Sequence, residues 1–314
     1  MNKDSLQQNH QTGIIYTASA YVMWGVFPLY WKLIDDVPSD EILAHRVLWS
    51  FIFMVGLLLA TRELSNFAYT LKHLFRNPKQ VLILFSASVL ISINWFIYIW
   101  AVNNERIIET SLGYYINPLI SILLGIIVLK EKLNFWQGVS VGLAAVGVLF
   151  LTFHYREFPW VSLGLAFSFG VYGLVKKTIK LEAKVGLTLE TMMVTPIALI
   201  YFIMLLSQGA SSFSFSSLNV SLLLIGGGIA TAMPLLYFAK GAPLIPLSMV
   251  GFLQYIAPTM TLLLGVFVYH EPFSTVHMIA FVFIWGGSII FALSKTKFMV
   301  SHQPKLRKSR SIGM

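Results

Sequence analysis

The sequence predicts an all-α integral membrane protein with ten transmembrane helices, arranged as two inverted repeats of five helices each. Composition gives the first observation, since 57% of the 314 residues are hydrophobic, 11% are charged and the mean hydropathy is +0.75. A soluble domain usually carries roughly 25% charged residues. An internal repeat gives the second observation, and a one-sided distribution of Lys and Arg gives the third.

Ten apolar stretches are long enough to be membrane spans, because a transmembrane helix needs ~20 apolar residues to cross ~30 Å of hydrocarbon. The predicted spans are 14–34, 40–60, 79–101, 106–129, 134–153, 160–179, 187–206, 217–239, 245–269 and 274–293. The polar segments 1–12 and 296–314 are expected to be unstructured cytoplasmic tails, the second of them basic. The connections between spans are short, so a soluble catalytic domain is not expected.

A repeat with an offset of 140 residues relates the two halves of the chain. The matched positions are Tyr115, Pro118 and Gly147 in the first half and Tyr255, Pro258 and Gly287 in the second. The repeats are assigned to 14–153 and 160–294. Because five spans is an odd number, the second repeat enters the membrane from the side opposite to the first. Inverted repeats of this kind are typical of transporters whose binding site lies between the repeats.

The distribution of Lys and Arg predicts that both termini lie in the cytoplasm. With that orientation, eighteen of the 22 basic residues fall in cytoplasmic segments and three in external ones, while Arg46 lies within a span. Cytoplasmic loops of membrane proteins carry such an excess of positive charge. The formal net charge of +9 is then explained by contact with the lipid bilayer, and no nucleic-acid partner is expected.

Polar side chains within the predicted spans are candidate transport residues, since each needs a partner or a water-filled cavity. Arg46, Asn94, Tyr98 and Glu109 are expected to meet in the outer half of the first repeat. Arg46 would then supply a cation and Glu109 the titratable group, with His45 as the alternative. Snorkelling of Arg46 and Glu109 to the membrane surface, or a purely structural ion pair, would explain the same residues.

Three prolines within predicted spans, Pro118, Pro234 and Pro258, are expected to kink their helices. A proline removes a backbone donor and clashes with the carbonyl four residues earlier. For Pro258 that carbonyl belongs to Gln254. Asn117 and Gln254 are therefore candidate site residues at matched kinks, although a kink stabilised by packing alone explains the prolines equally well.

Aromatic side chains within the spans predict an aromatic-lined cavity for an apolar, aromatic or cationic solute. The candidates are Trp95, Tyr115, Tyr172 and Tyr255. Trp31 instead fits the belt of aromatic residues at a membrane surface. Gly138 and Gly142 are expected to form a close helix-packing contact.

Several kinds of site are excluded or not expected. The sequence contains no cysteine, which excludes disulfides and thiolate metal sites. It contains no phosphate-binding loop, nucleophile elbow or zinc-binding helix motif. We therefore expect no metal, no cofactor and no enzymatic activity, with a small molecule as the partner. The sequence leaves the oligomeric state open between a monomer and a homodimer.

Six short sequence motifs identify a protein family more specifically than hydropathy does. They are HRVLWS from His45, NWFIYIWAVN from Asn94, ETSLGYYINP from Glu109, SFGVYG from Ser168, TAMPL from Thr231 and GFLQYIAPT from Gly251. With these strings the chain, from about residue 12 to 295, resembles the RarD family, often called chloramphenicol-sensitive proteins or permeases, within the EamA-type drug/metabolite transporter superfamily. The resemblance implies a ten-helix permease of the inner membrane built from two inverted five-helix repeats.

From these observations we expect a secondary active transporter of a small organic metabolite or drug that works by alternating access. Proton-driven export and uncoupled facilitation are both open. The alternative is a non-transporting membrane scaffold or a lipid-scramblase-like protein. That alternative would not need an aromatic cavity between the repeats.

Overall fold

A computed structural model describes residues 3–103, 107–155, 160–178, 181–214, 217–268 and 274–304. Within these residues the chain is helical and contains no β-strand. The helices are α1 (Lys3–Gly25), α2 (Phe27–Trp31), α3 (Ser39–Ala60), α4 (Leu64–Leu74), α5 (Pro78–Asn103), α6 (Ile107–Ile127), α7 (Phe135–Tyr155), α8 (Trp160–Thr178), α9 (Ala183–Ser207), α10 (Leu218–Gly241), α11 (Leu247–Leu253), α12 (Ile256–Phe267), α13 (Thr275–Leu293) and α14 (Lys297–Ser301).

Seven stretches of the described chain are long and apolar enough to cross a membrane. They lie in α3, α5, α7, α9, α10, the α11–α12 segment and α13. In hydrocarbon the backbone must satisfy its own hydrogen bonds, so apolar segments of this length become helices. The prediction of an all-helical membrane protein is confirmed, while the full count of ten spans in two inverted repeats stays a prediction. Helices also form at the three remaining predicted spans, in α1, α6 and α8.

The helices differ from the predicted spans and tails in several places. α14 (Lys297–Ser301) lies in the second segment that was predicted as unstructured, so that prediction is wrong for these residues. α1 begins at Lys3, so residues 3–12 are helical and the prediction of an unstructured segment there is wrong. The first predicted span is divided at Val26, and the short α2 follows with Pro28 in its first turn, where a missing N–H costs nothing. α4 lies in a segment that was predicted as a connection and packs Leu74 into the core.

The positions of the prolines relative to helix ends differ among the three predicted kinks. Pro118 and Pro234 lie inside the uninterrupted helices α6 and α10. Around Pro258 the helix is interrupted, because α11 ends at Leu253 and α12 begins at Ile256.

Most of the helices form one compact unit, which contains residues 1–129 and 158–272 and therefore α1–α6 and α8–α12. Its main core is built from large side chains of α1, α3, α8 and α10, including Tyr21, Met54, Tyr172 and Phe238. The Tyr172 and Phe238 rings stack with centroids 6.1 Å apart. Because lipid tails are as apolar as these side chains, close packing rather than transfer from water holds such helices together.

α3 and α10 are in close contact at Gly228. A Cβ atom at this position would lie 2.4 Å from the Trp49 carbonyl carbon and 2.6 Å from the Ser50 nitrogen. The Ser50 hydroxyl donates a hydrogen bond to the Gly228 carbonyl oxygen at 2.9 Å. The absence of a side chain at Gly228 therefore fixes the distance between the two helices.

A second compact unit contains residues 130–157 and 273–314, and in it α7 packs along α13. The matched glycines of the repeat lie at this contact. A Cβ atom at Gly147 would lie 2.7 Å from the Ala280 carbonyl oxygen, and one at Gly287 would lie 2.8 Å from the Ser140 carbonyl oxygen.

The predicted packing contact at Gly138 and Gly142 is wrong. A Cβ atom at either position would have no described neighbour within 4 Å. Both glycines lie on an exposed face of α7, because the rotation of the helix about its axis turns Gly147 toward α13 instead.

Candidate functional site

The first unit encloses a cavity of about 230 Å³. Residues of α1, α2, α3, α5, α6, α8 and α12 line it. A buried water needs only about 10–15 Å³, whereas pockets for drug-sized ligands occupy about 300–1,000 Å³. The space therefore suits a small organic molecule.

Aromatic rings make up half of the cavity wall. Seven of the fourteen described lining residues are aromatic, namely Trp24, Phe27, Trp31, Trp95, Tyr98, Tyr114 and Phe169. The rings also contact one another, with centroids 5.7 Å apart for Trp24 and Phe169 and 5.9 Å apart for Tyr98 and Tyr114. An aromatic cavity was predicted from the sequence, and the predicted Trp95 and Tyr98 line it, whereas the predicted Tyr115, Tyr172 and Tyr255 do not. Trp31 and Tyr114 also belong to its wall.

Arg46 is the charged residue among the described residues that line the cavity. Its guanidinium carbon lies 4.8 Å from the ring centroid of Trp31 and 4.9 Å from that of Trp95. The Arg46 Nε–H donates to the Thr231 hydroxyl oxygen at 2.9 Å, and that hydroxyl donates to the Gly227 carbonyl at 2.7 Å. Two cation–π contacts and one hydrogen bond therefore fix the plane of the guanidinium.

Asn94 lies in the same cavity wall but also has a structural role. Its Nδ2 donates to the Leu165 carbonyl oxygen at 2.9 Å and to the Ser168 hydroxyl at 3.0 Å. Both amide hydrogens are therefore used to connect α5 to α8. The structure thus brings together Arg46, Asn94, Trp95 and Tyr98, four of the residues selected from the sequence. The side chain of Glu109 lies outside the described part of the chain.

A second group of predicted residues lies around the break between α11 and α12. Pro258 lines the cavity, and its carbonyl oxygen accepts a hydrogen bond from the Tyr115 hydroxyl at 3.3 Å. The Gln254 Oε1 accepts from the Ser121 hydroxyl at 3.0 Å. These bonds connect α6 to the interrupted segment, but neither Tyr115 nor Gln254 lines the cavity.

Asn117 and Tyr255 are buried near the same break and do not line the cavity either. The Asn117 Oδ1 and the Tyr255 hydroxyl have no hydrogen-bond partner among the described residues. Buried polar atoms without a hydrogen-bond partner cost free energy.

Tyr172 belongs to a different buried group. Its hydroxyl donates to the Glu190 Oε2 at 3.3 Å, and the Lys176 Nζ lies 2.6 Å from the Glu190 Oε1. The Lys176 and Glu190 side chains are only 4% and 3% exposed. This ion pair was not predicted from the sequence. The position of a carboxylate, Glu190, inside the predicted span 187–206 did indicate that it needs a buried partner.

A third polar group runs along one face of α3. The Trp49 Nε1–H donates to the His45 Nδ1 at 3.1 Å, and the His45 Nε2 lies 3.8 Å from the Glu41 Oε1. That same oxygen accepts bonds from the Ser211 hydroxyl at 2.7 Å and the Ser212 N–H at 2.8 Å. In the described chain no group of three or more potential ligands could hold a metal ion.

Lys32 and Asp35 follow the short helix that carries Trp31. The Lys32 Nζ lies 2.7 Å from the Asp35 Oδ2. This hydrogen bond and the positive charge of Lys32 lower the pKa of the Asp35 carboxyl, so the pair stays ionised and neutral overall. Lys32 and Asp35 therefore compensate each other's charge.

Comparisons with known proteins agree with this architecture. Residues 11–153 match the EamA-like transporter family. The chain is 53% identical over 286 residues to the uncharacterized transporter YojE of Bacillus subtilis (strain 168), covering 91% of this chain and 95% of that protein. It is 44% identical over 281 residues to protein RarD of Escherichia coli (strain K12), covering 90% and 94%.

A solved crystal structure has a similar fold, with a TM-score of 0.69 and 18% sequence identity, covering 92% of this chain and 99% of that chain. At that identity the likeness concerns the fold alone. The identities to YojE and RarD extend over most of this chain and of each relative. The protein is a multi-pass membrane protein, and the chain belongs to the RarD family of EamA-like transporters.

Proposed function

We propose that the protein is a secondary active transporter that moves a small organic metabolite or drug across the inner membrane by alternating access. In this proposal the two inverted repeats, 14–153 and 160–294, rock against each other around the cavity. The protein has no enzymatic activity, and its partners are a small-molecule substrate and the lipid bilayer rather than nucleic acid.

The cavity itself is the observation that carries the proposal. Its wall combines Arg46 and Trp95 from the first predicted repeat with Phe169, Ala257 and Thr261 from the second. A site lined by both repeats is what alternating access requires, because movement of one repeat against the other then changes the access to the site. A scaffold or a scramblase-like protein has no need of an aromatic space of about 230 Å³.

Proton exchange is the coupling that we propose. A carboxylate inside a membrane span can exchange a proton with the solvent when the site opens to either side, and Glu109 lies in α6 near the cavity residue Tyr114 in sequence. His45, which is buried beside Glu41, is the second candidate because its ordinary pKa is near neutral pH.

Transport and coupling are testable in proteoliposomes with a solute that stabilises the purified protein. We expect a pH gradient to drive accumulation of that solute. Thr261→Trp, which fills the cavity, should abolish binding and flux, while Ile200→Trp on an exposed face of α9 (69% exposed) should preserve both. Glu109→Gln should lose gradient-driven accumulation and retain downhill exchange.

Flux that is equal in Thr261→Trp and in the unmodified protein would contradict a transport route through the cavity. Stabilising solutes that never cross the membrane, together with rapid lipid scrambling, would favour the alternative function. Intact gradient-driven accumulation in Glu109→Gln would shift the coupling role to His45.

We further propose that both termini lie in the cytoplasm, as the eighteen-to-three distribution of basic residues predicts. Reporter domains fused at Lys305 and within 207–217 should then report opposite sides of the membrane. The same signal from both fusions would contradict the model of ten spans and inverted repeats.

A further inference from the structure

We infer that the cavity binds a small monocarboxylate, with the carboxylate on Arg46 and an apolar or aromatic body against the surrounding rings. This inference rests on the proposed transport function and narrows its substrate class. The sequence alone left apolar, aromatic and cationic solutes open.

Arg46 has no charge partner among the residues that the structure describes. Its Nε is bonded to Thr231, while Nη1 and Nη2 make no hydrogen bond to any described residue. No described carboxylate lies within ion-pair distance of the guanidinium, whereas Lys176 has its own partner in Glu190. An arginine without an anion is costly in a membrane interior. A ligand that brings a negative charge removes that cost.

The edge of the Arg46 guanidinium that carries Nη1 and Nη2 is held in a fixed orientation. The Trp31 and Trp95 rings lie near the guanidinium, and Thr231 holds its Nε. Two parallel N–H donors in a fixed plane match the two oxygens of a carboxylate. A cationic solute would instead be repelled by Arg46, with no described carboxylate in the wall to attract it.

Two tyrosine hydroxyl groups offer further hydrogen-bond donors to a carboxylate. Tyr98 and Tyr114 line the same cavity, and neither hydroxyl has a hydrogen-bond partner among the described residues. A phenol donates readily to a carboxylate oxygen. Most of the remaining lining residues, including Trp24 and Phe169, are aromatic or aliphatic, with Asn94 and Thr261 as the polar exceptions. The rest of the ligand is therefore expected to be mainly apolar.

The test compares four probes that differ in charge or in the apolar body: phenylacetate, phenylacetamide, 2-phenylethylamine and acetate. Each is titrated against the purified full-length protein, and the shift in melting temperature gives the affinity. We expect phenylacetate to bind about tenfold to a hundredfold more tightly than phenylacetamide, the range that charge-assisted hydrogen bonds provide. Acetate and 2-phenylethylamine should bind far more weakly than phenylacetate.

Variants of Arg46 test whether its side chain causes the preference for phenylacetate over phenylacetamide. In Arg46→Gln the affinities for phenylacetate and phenylacetamide should become equal, and Arg46→Lys should be intermediate because lysine lacks the planar pair of donors. The control Lys32→Gln removes the same charge at an exposed position and should keep the preference. If Arg46→Gln fails to fold, Thr231→Val serves instead, and we expect it to weaken phenylacetate binding without changing that of phenylacetamide.

Three results would overturn the inference: equal binding of acid and amide by the unmodified protein, a preference for the acid that survives in Arg46→Gln, or acid binding that arises only in Glu109→Gln. The last result would identify Glu109 as the internal partner of Arg46. Flux measurements separate the two proposals. The flux through protein-free liposomes is subtracted, because uncharged phenylacetamide and protonated phenylacetic acid cross lipid unaided. Phenylacetate that binds through Arg46 but shows no protein-dependent flux contradicts transport alone, whereas protein-dependent flux of the amide equal to that of the acid contradicts the carboxylate site alone.

Discussion

Glu190→Gln is expected to destabilise the protein by about 3–5 kcal/mol, the usual effect of removing one partner from a buried ion pair. The Lys176 Nζ lies 2.6 Å from the Glu190 Oε1, and both side chains are almost fully buried. Without the carboxylate, Lys176 must either keep an uncompensated charge or lose its proton, and both outcomes cost free energy. Thermal unfolding of the purified protein should show a loss on the order of 10 °C.

A double-mutant cycle distinguishes this effect from a general loss of packing. Lys176→Met combined with Glu190→Gln should be much less destabilised than the sum of the two single variants, because no unpaired charge remains. The matched control is the ion pair of Lys32 and Asp35, whose side chains are 63% and 51% exposed. Its disruption by Lys32→Met should leave the melting temperature almost unchanged. Additive effects of Lys176→Met and Glu190→Gln would contradict the expected coupling.

Gly228→Ala should also cause a large loss, of about 1–3 kcal/mol, which is typical of overpacking. The new Cβ atom would overlap the Trp49 and Ser50 backbone, at 2.4 Å from the Trp49 carbonyl carbon. Backbone atoms cannot move aside as a flexible side chain can, so α3 and α10 must separate. Because Arg46 on α3 is bonded to Thr231 on α10, we expect solute binding to weaken together with stability.

Gly142→Ala provides the control for Gly228→Ala. Gly142 is also a helical glycine, but a Cβ atom there would have no described neighbour within 4 Å. The only expected effect is the helix preference for alanine, which stabilises by roughly 0.5–1 kcal/mol. A loss of stability in Gly142→Ala equal to that in Gly228→Ala would contradict the assignment of the close contact to α3 and α10.

The composition of the cavity illustrates how far sequence analysis reaches. Arg46, Asn94, Trp95 and Tyr98 were selected because polar and aromatic side chains inside a membrane span need an explanation, and all four line the cavity. Trp31 was interpreted as a membrane-surface residue, yet it lies over Arg46. Hydropathy gives the depth of a residue along a helix, but it does not give the direction in which the side chain points.

The helix interruption near Gln254 and the ion pair of Lys176 and Glu190 also show that the sequence predicts local features better than contacts between helices. Pro258 indicated that the helix around Gln254 is perturbed, and α11 does end at Leu253. No local signal indicated that Glu190 would lie beside Lys176, because the two residues belong to different helices, α8 and α9. Their contact depends on how α8 and α9 pack.

The sequence by itself determined that the chain is a helical membrane protein of the RarD family, because long apolar segments must satisfy their backbone hydrogen bonds internally and because the motifs are specific. The tertiary structure decided which residues meet. Trp31, Arg46, Trp95 and Thr231 come from four helices, and Gly228 rather than Gly142 provides a close contact. Spans that are apolar on most sides carry no strong preference for one face, so their rotation is set by packing against neighbouring helices.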